Sequence, residues 1–242
     1  MPATQTRTER HKQKSRSKRK TLTGRQPSGA DKAYRDLRRR ILDNELAATR
    51  YSEQQLAGML GQGAAPVRQA LARLAAEGLV ELQPRHGVRV PPLALDDMRE
   101  IFEIMIALEP MAARRVALQN LAKSDLDRLT AAVQQMDAAI LKDDLVAWAK
   151  ADELFHIRLI GLCGNKRLRA LLLTCLDQRH RARMLTLGAR PVPVDSNREH
   201  AAVVDAVRRH DADAAYALHH DHLARSSAML ISLLRRTEPG PH

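Results

Sequence analysis

Two short stretches within residues 51 to 90 repeat their apolar positions with the spacing of a helix. The first places Leu56, Ala57 and Leu60 on one face, and the second places Val67, Ala70, Leu71 and Leu74 at i, i+3, i+4 and i+7. Ser52 suits the N-cap of the first helix, and Gly78 suits the left-handed residue after the second. From residue 79 to residue 90 the spacing changes to that of a two-stranded hairpin. This order of parts predicts a winged helix-turn-helix.

Helical spacing also dominates the rest of the chain. Residues 31 to 46 predict a helix that packs on the other two, and Pro91 with Pro92 forms a short stiff linker after the hairpin. Beyond the linker the helical pattern is interrupted near residues 120–124, 142–144, 164–165, 188–196 and 210–212. We therefore expect a mainly α protein, with a winged unit over residues 29–92 and an antiparallel bundle of six helices over residues 93–237.

Residues 1 to 28 differ from both units. They contain nine Lys or Arg against one Glu and no apolar periodicity, so we expect a disordered basic arm. Its role is either a solubilising tail or non-specific attraction to DNA phosphates, and a start site placed too early would also account for it. Because no apolar run is long enough to span a bilayer and the basic start is unlike a secretory signal, we expect a cytoplasmic protein without membrane contact.

The segment PVRQALARLAAEGLVELQPRHGVRV, residues 66 to 90, closely resembles the signature of the GntR family of bacterial transcription regulators. The resemblance implies that the second helix, the start of the third helix and the wing tip contact DNA. Arg68 matches the Arg of the family's Val-Arg pair, and His86 with Gly87 matches its wing tip. Together with the polar helix face and the basic wing, this makes the candidate DNA-binding residues Gln54, Arg68, Gln69, Arg73, Arg85, His86 and Gly87.

Two positions depart from the family pattern. Ala64 stands where an Arg that could pair with guanine is usual, and Gln54 stands where an Arg is frequent. We therefore expect either an unusual operator half-site or a specific affinity that depends more on phosphate contacts.

Four polar side chains are flanked by apolar residues at core spacing. Asp152 and His156 lie one helical turn apart, His200 stands in REHAAVVDAV, and His222 stands in HHDHLARS. We expect all four to face the bundle interior, where one divalent cation would satisfy them together; Zn, Ni, Mn and Fe suit these ligands, and Zn is favoured. The same stretches resemble the FCD domain of the FadR-type subfamily, in which one Asp and three His bind a metal, and six helices are similar to its VanR-like branch.

The resemblance also implies a small-molecule effector, such as a carboxylate, beside the metal. In relatives an Arg holds an anionic effector where this chain has Met105, and other Arg residues could substitute, although Arg at helical spacing is more often exposed. The candidate effector-binding residues are Met105, Arg158, Asn165, Arg179 and Arg183. The remaining histidines of this region match no role and are expected at the surface, His219 being the one nearest to a ligand position: His180, His210, His219 and His220.

These features predict a metal-containing, metabolite-responsive regulator. We expect a homodimeric repressor that binds a pseudo-palindromic operator in double-stranded DNA, with one structural divalent metal per chain and no catalytic residue. Two alternatives stay open. A regulator that senses the metal alone would bind no small molecule, and a metal-dependent hydrolase would need a general base beside the metal, for which no Glu has the required spacing.

Overall fold

The computed structural model describes residues 27–46 and 48–237, so the predicted basic arm falls outside the described residues except for its last two positions. The winged unit is built, as predicted, from short helices followed by a hairpin. Its elements in the described residues are α1 (Gly29–Leu42), β1 (Arg50–Tyr51), α2 (Glu53–Leu60), α3 (Ala64–Ala76), β2 (Glu81–Gln83) and β3 (Gly87–Arg89).

Side-chain caps begin the first two helices. Ser28 and Ser52 each accept a hydrogen bond from the backbone N–H of the third helical residue, and Asp31 and Gln55 bond back to the cap residue. Gly78 follows α3 in the left-handed conformation, with φ of 72°. The predicted cap Ser52 and the predicted terminator Gly78 are therefore confirmed.

The wing has one strand more than the sequence predicts. Strand β3 lies between β1 and β2 and pairs antiparallel with both, so that Val88 stands opposite Tyr51 on one side and Leu82 on the other. Strand β1 has only two residues, which is too short for an alternating pattern to reveal. Gly87 begins β3 with φ of 84°, and a Cβ at this position would lie 2.4 Å from the carbonyl oxygen of Tyr51. Strand β3 can therefore approach β1 this closely only with glycine at position 87.

The second unit is the predicted bundle of six helices. Its helices are α4 (Leu95–Ala117), α5 (Lys123–Leu141), α6 (Leu145–Leu162), α7 (Lys166–Thr186), α8 (Val194–Arg208) and α9 (Ala212–Thr237). Helix α4 packs along α7 and α9, and α5 packs on α6 and α8. Apolar side chains from all six helices form one continuous core around Trp148 and Phe155. Among the described residues, the helices are too short or too polar to cross a membrane.

Helix α7 of the bundle lies against α1 of the winged unit. The Arg38 guanidinium forms a two-point salt bridge with Asp177, and the Asn44 amide donates to the backbone carbonyl of Arg181 at 2.9 Å. The side chain of Arg181 in turn donates to the carbonyl of Pro91 in the linker. The contact between the two units is therefore formed mainly by polar groups of α7, and Lys150 of α6 adds an ion pair to Asp43 at 3.5 Å.

Candidate metal centre and DNA-binding face

The four predicted metal ligands meet at the centre of the bundle. Asp152 and His156 project from α6, His200 projects from α8, and His222 projects from α9. Each of these side chains is at most 1% exposed. The fold thus brings together from three helices the residues that the apolar spacing predicted to face inward.

The donor atoms of these residues point into one small space. The Nε2 atoms of His156 and His200 are 3.3 Å apart, and Oδ1 of Asp152 lies 3.7 Å from Nε2 of His200. Ring nitrogens of His156, His200 and His222 all lie within 4.8 Å of one another. Nitrogen ligands in a tetrahedral zinc site stand about 3.4 Å apart, so the donor atoms are close to the spacing that a small cation requires.

Two glutamates hold the imidazole rings from outside this space. Nδ1 of His156 lies 2.5 Å from Oε1 of Glu109, and Nδ1 of His222 lies 2.7 Å from Oε2 of Glu199. Because an ionised carboxylate can only accept, each Nδ1 carries the proton and each Nε2 keeps a lone pair directed inward. Nε2 of His222 has no hydrogen-bond partner among the described residues. The rings are thus oriented as metal ligands usually are.

Burial keeps the imidazoles in the neutral form that binds metals. It lowers the pKa of His156 to about 4, with the charge of Arg179 adding to the effect. Burial likewise holds the pKa values of His200 and His222 well below the ordinary value. Near neutral pH, therefore, no proton has to leave these rings before a cation can bind.

The carboxylate of Asp152 stays ionised although it is buried. Burial alone would raise its pKa, but the charges of Arg183 and Arg179 hold it well below the ordinary value. Oδ2 lies 2.7 Å from the Arg183 guanidinium and 3.4 Å from that of Arg179, whereas Oδ1 has no hydrogen-bond partner in the described part of the chain. One oxygen is anchored and the other is free to join three neutral imidazoles, a donor set that fits Zn, Ni, Mn or Fe.

Arg179 and Arg183 lie at this centre and not at the surface. Each is only 1% exposed, so the expectation that arginines at helical spacing are exposed is wrong for both. The two side chains are four residues apart on α7 and face the same way, toward Asp152 on α6. They bring two positive charges to the edge of the candidate metal site.

The other predicted effector-binding residues are not brought to the same place. Met105 is buried in the apolar core, one turn before Glu109 on α4. Arg158 donates to the backbone carbonyl of Arg128, and the Asn165 side chain caps the N-terminus of α7. Arg158 and Asn165 therefore have local structural partners elsewhere in the bundle.

Two histidines that were expected at the surface are buried. His219 is fully buried and its Nε2 donates to Oε1 of Glu109 at 3.1 Å, and His180 is 1% exposed at the side of the bundle that faces the winged unit. The expected exposure is correct for His210 and approximately so for His220. His219 lies inward because it is one turn from His222 on the same helix face.

Glu109 and Glu199 were missed by the sequence reasoning, although a signal existed for one of them. Glu109 falls at i+7 from Phe102 and i+4 from Met105, so it is a lone charged residue on an otherwise apolar helix face. A charge in that position predicts a buried partner. Glu199 gives no such signal, because it lies about 100° from His200 around α8 and is only half-buried, at a position where a charged residue is ordinary.

Most candidate DNA-binding residues are exposed on the winged unit. Arg68 and Gln69 project from the first half of α3, and Gln54 projects from the start of α2. Arg85 and His86 form the tip of the wing and are also exposed, with His86 N–H donating to the carbonyl of Gln83 in the turn. These residues form an accessible polar face supported by the apolar core beneath it.

Arg73 has a different environment from Arg68. Its guanidinium carbon lies 3.5 Å from the centroid of the Tyr34 ring, and it forms an ion pair with Glu77 at 3.3 Å. Arg68 pairs with Glu53 at 2.9 Å, yet its side chain remains 70% exposed. Five residues along a helix turn a side chain by about 140°, so Arg73 packs against α1, although its side chain is still 54% exposed, while Arg68 points away from α1.

Two family models match this chain. Residues 30–90 match the model described as bacterial regulatory proteins of the gntR family, and residues 100–225 match the model of the FCD domain. The metal ligands predicted on α6, α8 and α9 all fall within the second match. The exposed residues of α2, α3 and the wing fall within the first.

Several relatives are named as regulators. An uncharacterized HTH-type transcriptional regulator in the TAR-I ttuE-ttuC' intergenic region of Agrobacterium vitis is 37% identical over 136 residues, which cover 55% of this chain and 80% of that protein. A probable D-xylose utilization operon transcriptional repressor of Paenarthrobacter nicotinovorans is 30% identical, covering 69% and 74% of the two chains. The HTH-type transcriptional repressor RspR of Escherichia coli is 26% identical, covering 80% and 85%.

Solved structures show the same fold at low identity. Escherichia coli McbR/YncC has a TM-score of 0.77 at 20% identity and covers 86% of this chain and 99% of its own. A putative transcriptional regulator GntR from Rhodococcus sp. RHA1 has a TM-score of 0.70 at 20% identity, covering 84% and 97%. The match to the family model of bacterial regulatory proteins favours a regulator over the hydrolase alternative. The chain belongs to the GntR family of transcription regulators, with a GntR winged domain followed by an FCD domain.

Proposed function

We propose that this regulator is a homodimeric repressor that contains one divalent metal per chain and releases its operator when a small organic acid binds at the metal. The observation that carries the proposal is the convergence of three neutral, buried imidazoles on one free carboxylate oxygen, with guanidiniums beside them. Asp152, His156, His200 and His222 would hold the metal, and zinc is favoured. Repression is supported by the names of two relatives, RspR and the probable D-xylose operon repressor.

The chain's own residues would prepare this centre for an anionic effector. Glu109 and Glu199 fix the orientation of two imidazoles, and Arg183 anchors the ligand Asp152. The metal, when bound, supplies an electron-accepting position for a carboxylate of the effector. Of the predicted effector contacts, the proposal keeps Arg179 and Arg183, because their positive charge lies beside that position.

Helix α7 offers a route from the metal centre to the DNA. The same helix carries Arg179 and Arg183 against Asp152, and Asp177 and Arg181 against α1 and the linker. An effector that shifts α7 would change how the two winged units of a dimer are placed on successive half-sites. A coupling of about 1–3 kcal/mol would change operator affinity roughly 5- to 150-fold.

The proposed DNA contacts are the members of the predicted set whose side chains are exposed and do not pack on another side chain. Arg68 and Gln69 would enter the major groove from the start of α3, Gln54 would approach from α2, and Arg85 with His86 would reach DNA from the wing tip. Arg73 and Gly87 would act indirectly: the first packs on Tyr34, and the second allows the close approach of the hairpin to β1.

Elemental analysis of the purified full-length protein tests the metal, and fluorescence anisotropy with DNA selected from a random pool tests the regulation. His222→Ala should lose the metal and any response of DNA affinity to carboxylates, whereas the control His220→Ala, on the same helix and partly exposed, should keep both.

A metal-free parent protein would overturn the metal centre. If DNA affinity changes with zinc concentration but not on addition of any carboxylate, the metal-only sensor is favoured. If native mass spectrometry shows a single chain bound to DNA, the homodimer is overturned.

A further inference from the structure

One side of helix α4 carries a row of exposed apolar side chains. Ile104, Met111 and Leu118 stand seven residues apart and are 43%, 41% and 64% exposed. Seven residues make almost two full turns, so the three side chains lie in line along the helix. The opposite side of α4 supplies Phe102 and Met105 to the core of the bundle. Helix α4 is therefore apolar on two sides, and only one of them packs within the chain.

The exposed row belongs to a longer repeating pattern. Steps of three and four residues alternate from residue 97 to residue 111, through the exposed positions Asp97, Glu100, Ile104, Ala107 and Met111. This alternation is the spacing at which two helices pack side by side along a seam. Ala107, near the middle of α4, has a small side chain that allows a second helix to come close. The pattern favours another helix as the occupant of this face.

The two ends of the face carry opposite charges. Glu100 is exposed in the first half of α4 and forms no ion pair with another residue of the described ranges. Arg115 is exposed in the second half; its Nε donates to the carbonyl oxygen of Cys163 at 2.9 Å, and no carboxylate in the described part of the chain pairs with it. Fifteen residues separate the two charges by about 22 Å along the helix and by about 60° around it. They lie on one face but too far apart to neutralise each other.

A second copy of α4 in the antiparallel direction matches this face. With a two-fold axis beside Ala107, Ile104 of each copy lies opposite Met111 of the other, and Glu100 of each copy lies opposite Arg115 of the other. A two-fold contact of this kind makes every pairing twice. A parallel pair would instead place Glu100 against Glu100 and Arg115 against Arg115, and like charges across an interface are unfavourable. The charge pattern therefore selects the antiparallel arrangement.

We propose that two chains of this regulator dimerise through an antiparallel contact between their α4 helices. Ile104 packs on Met111 across the two-fold axis, and Glu100 pairs with Arg115. The inference rests on the homodimer of the proposed function and adds the surface that forms it. Helix α4 begins at Leu95, three residues after the linker, so this contact lies close to both winged units. It would thus set the distance between the two recognition helices and the spacing of the half-sites.

Sedimentation equilibrium of the full-length protein without DNA tests the charge pairing. Glu100→Arg and Arg115→Glu should each raise the dimer dissociation constant at least tenfold, because each variant places like charges together twice in a dimer. An equimolar mixture of the two variants should form a heterodimer with the parental affinity, since each chain then meets the opposite charge. Native mass spectrometry distinguishes this heterodimer from either homodimer by mass. The double variant should also regain the parental dissociation constant.

Met111→Glu tests the apolar part of the contact. It should leave mostly single chains at a concentration at which the parent is a dimer, because a carboxylate would have to be buried against Ile104. Leu141→Glu is the matched control, because Leu141 is an apolar residue that is 88% exposed at the end of α5, outside the α4 face. This control should dimerise like the parent.

Two results would overturn the inference. The first is a parental dissociation constant in Met111→Glu or in both single charge variants. The second is a failure of both the mixture and the double variant to recover affinity, which would mean that the substitutions act through the fold of α4 and not through a partner. If the parent is a dimer in these experiments, the homodimer of the proposed function stands and only this interface is lost. A parent that sediments as a single chain at all concentrations would overturn both.

Discussion

The two units of the chain bury different kinds of side chain. The core of the winged unit is formed by apolar residues such as Leu37, Leu71 and Val88 and by the ring of Tyr34. By contrast, every buried charged or polar residue that the structure describes lies in the bundle, and many of these residues surround Asp152. The buried side chains of the winged unit form its apolar core. The bundle also buries polar atoms that have no hydrogen-bond partner among the described residues and that a bound ligand would supply with one.

The contrast extends to how arginine is used. Arg68 on the winged unit is 70% exposed, so it can exchange its carboxylate partner for a DNA phosphate or base at little cost. Arg183 in the bundle is 1% exposed and cannot be solvated, so its position is set by Asp152 and by the packing around it. The winged unit is therefore expected to tolerate changes at its binding surface, while the bundle is expected to couple binding to its stability.

Removal of the metal should have the largest effect, and it should be confined to the bundle. Without a cation, three imidazoles and one carboxylate oxygen remain buried without full partners, and the melting temperature should fall by roughly 10 °C. The chain's single tryptophan, Trp148, lies in the bundle, so its fluorescence reports on this unit. The measurement is a thermal melt before and after dialysis against a chelator. Zinc should restore the original curve, and an unchanged melt would count against a structural metal.

Leu71→Ala should lower the free energy of unfolding of the winged unit by about 3 kcal/mol. Leu71 is only 1% exposed, so the substitution leaves a cavity in the apolar core of this unit. DNA binding should fall with the fraction of folded winged units. The metal content should stay the same, since the two cores are separate. Chemical denaturation and elemental analysis test this on the same sample. Leu82→Ala is the control, because that side chain is half exposed on the wing; loss of metal in Leu71→Ala would contradict the separation of the cores.

Arg68→Ala should weaken DNA binding by roughly tenfold without lowering the melting temperature, because a contact to a base edge is worth about 1–3 kcal/mol and the side chain is exposed. Fluorescence anisotropy with selected DNA gives the affinity. The control Arg209→Ala deletes an exposed charge at the end of α8. If both variants bind DNA like the parent, α3 does not read the operator through Arg68.

Acid should affect metal retention only well below neutral pH. The pKa of His156 is lowered from its ordinary value to about 4 because the ring is buried. A lowered folded-state pKa means that stability is complete above the unfolded value of about 6.5 and is lost as the pH falls toward 4. Metal content after equilibration between pH 8 and pH 4 should therefore stay constant to about pH 5. Release centred near pH 6.5, as in the unfolded chain, would mean that the rings are exposed to water.

Local patterns in the sequence determined the helices of both units and the inward direction of four ligands. Ser52 and Gly78 mark the ends of helices by their own backbone and side-chain chemistry, which needs no distant partner. His156 and His200 were predicted to face inward because the apolar residues around them must be buried, and helical periodicity then assigns a face to every neighbouring residue. Such inferences depend only on residues within two turns.

Tertiary structure alone decided what each inward face would meet. Arg179 and Arg183 have the spacing of a solvated helix face, yet α7 packs so that Asp152 stands opposite them. Glu109 reaches His156 from a helix that begins more than fifty residues earlier, and Arg190 reaches Trp148 from a loop. Periodicity gives the direction in which a side chain leaves its helix, but only the packing of all six helices determines which group lies in that direction.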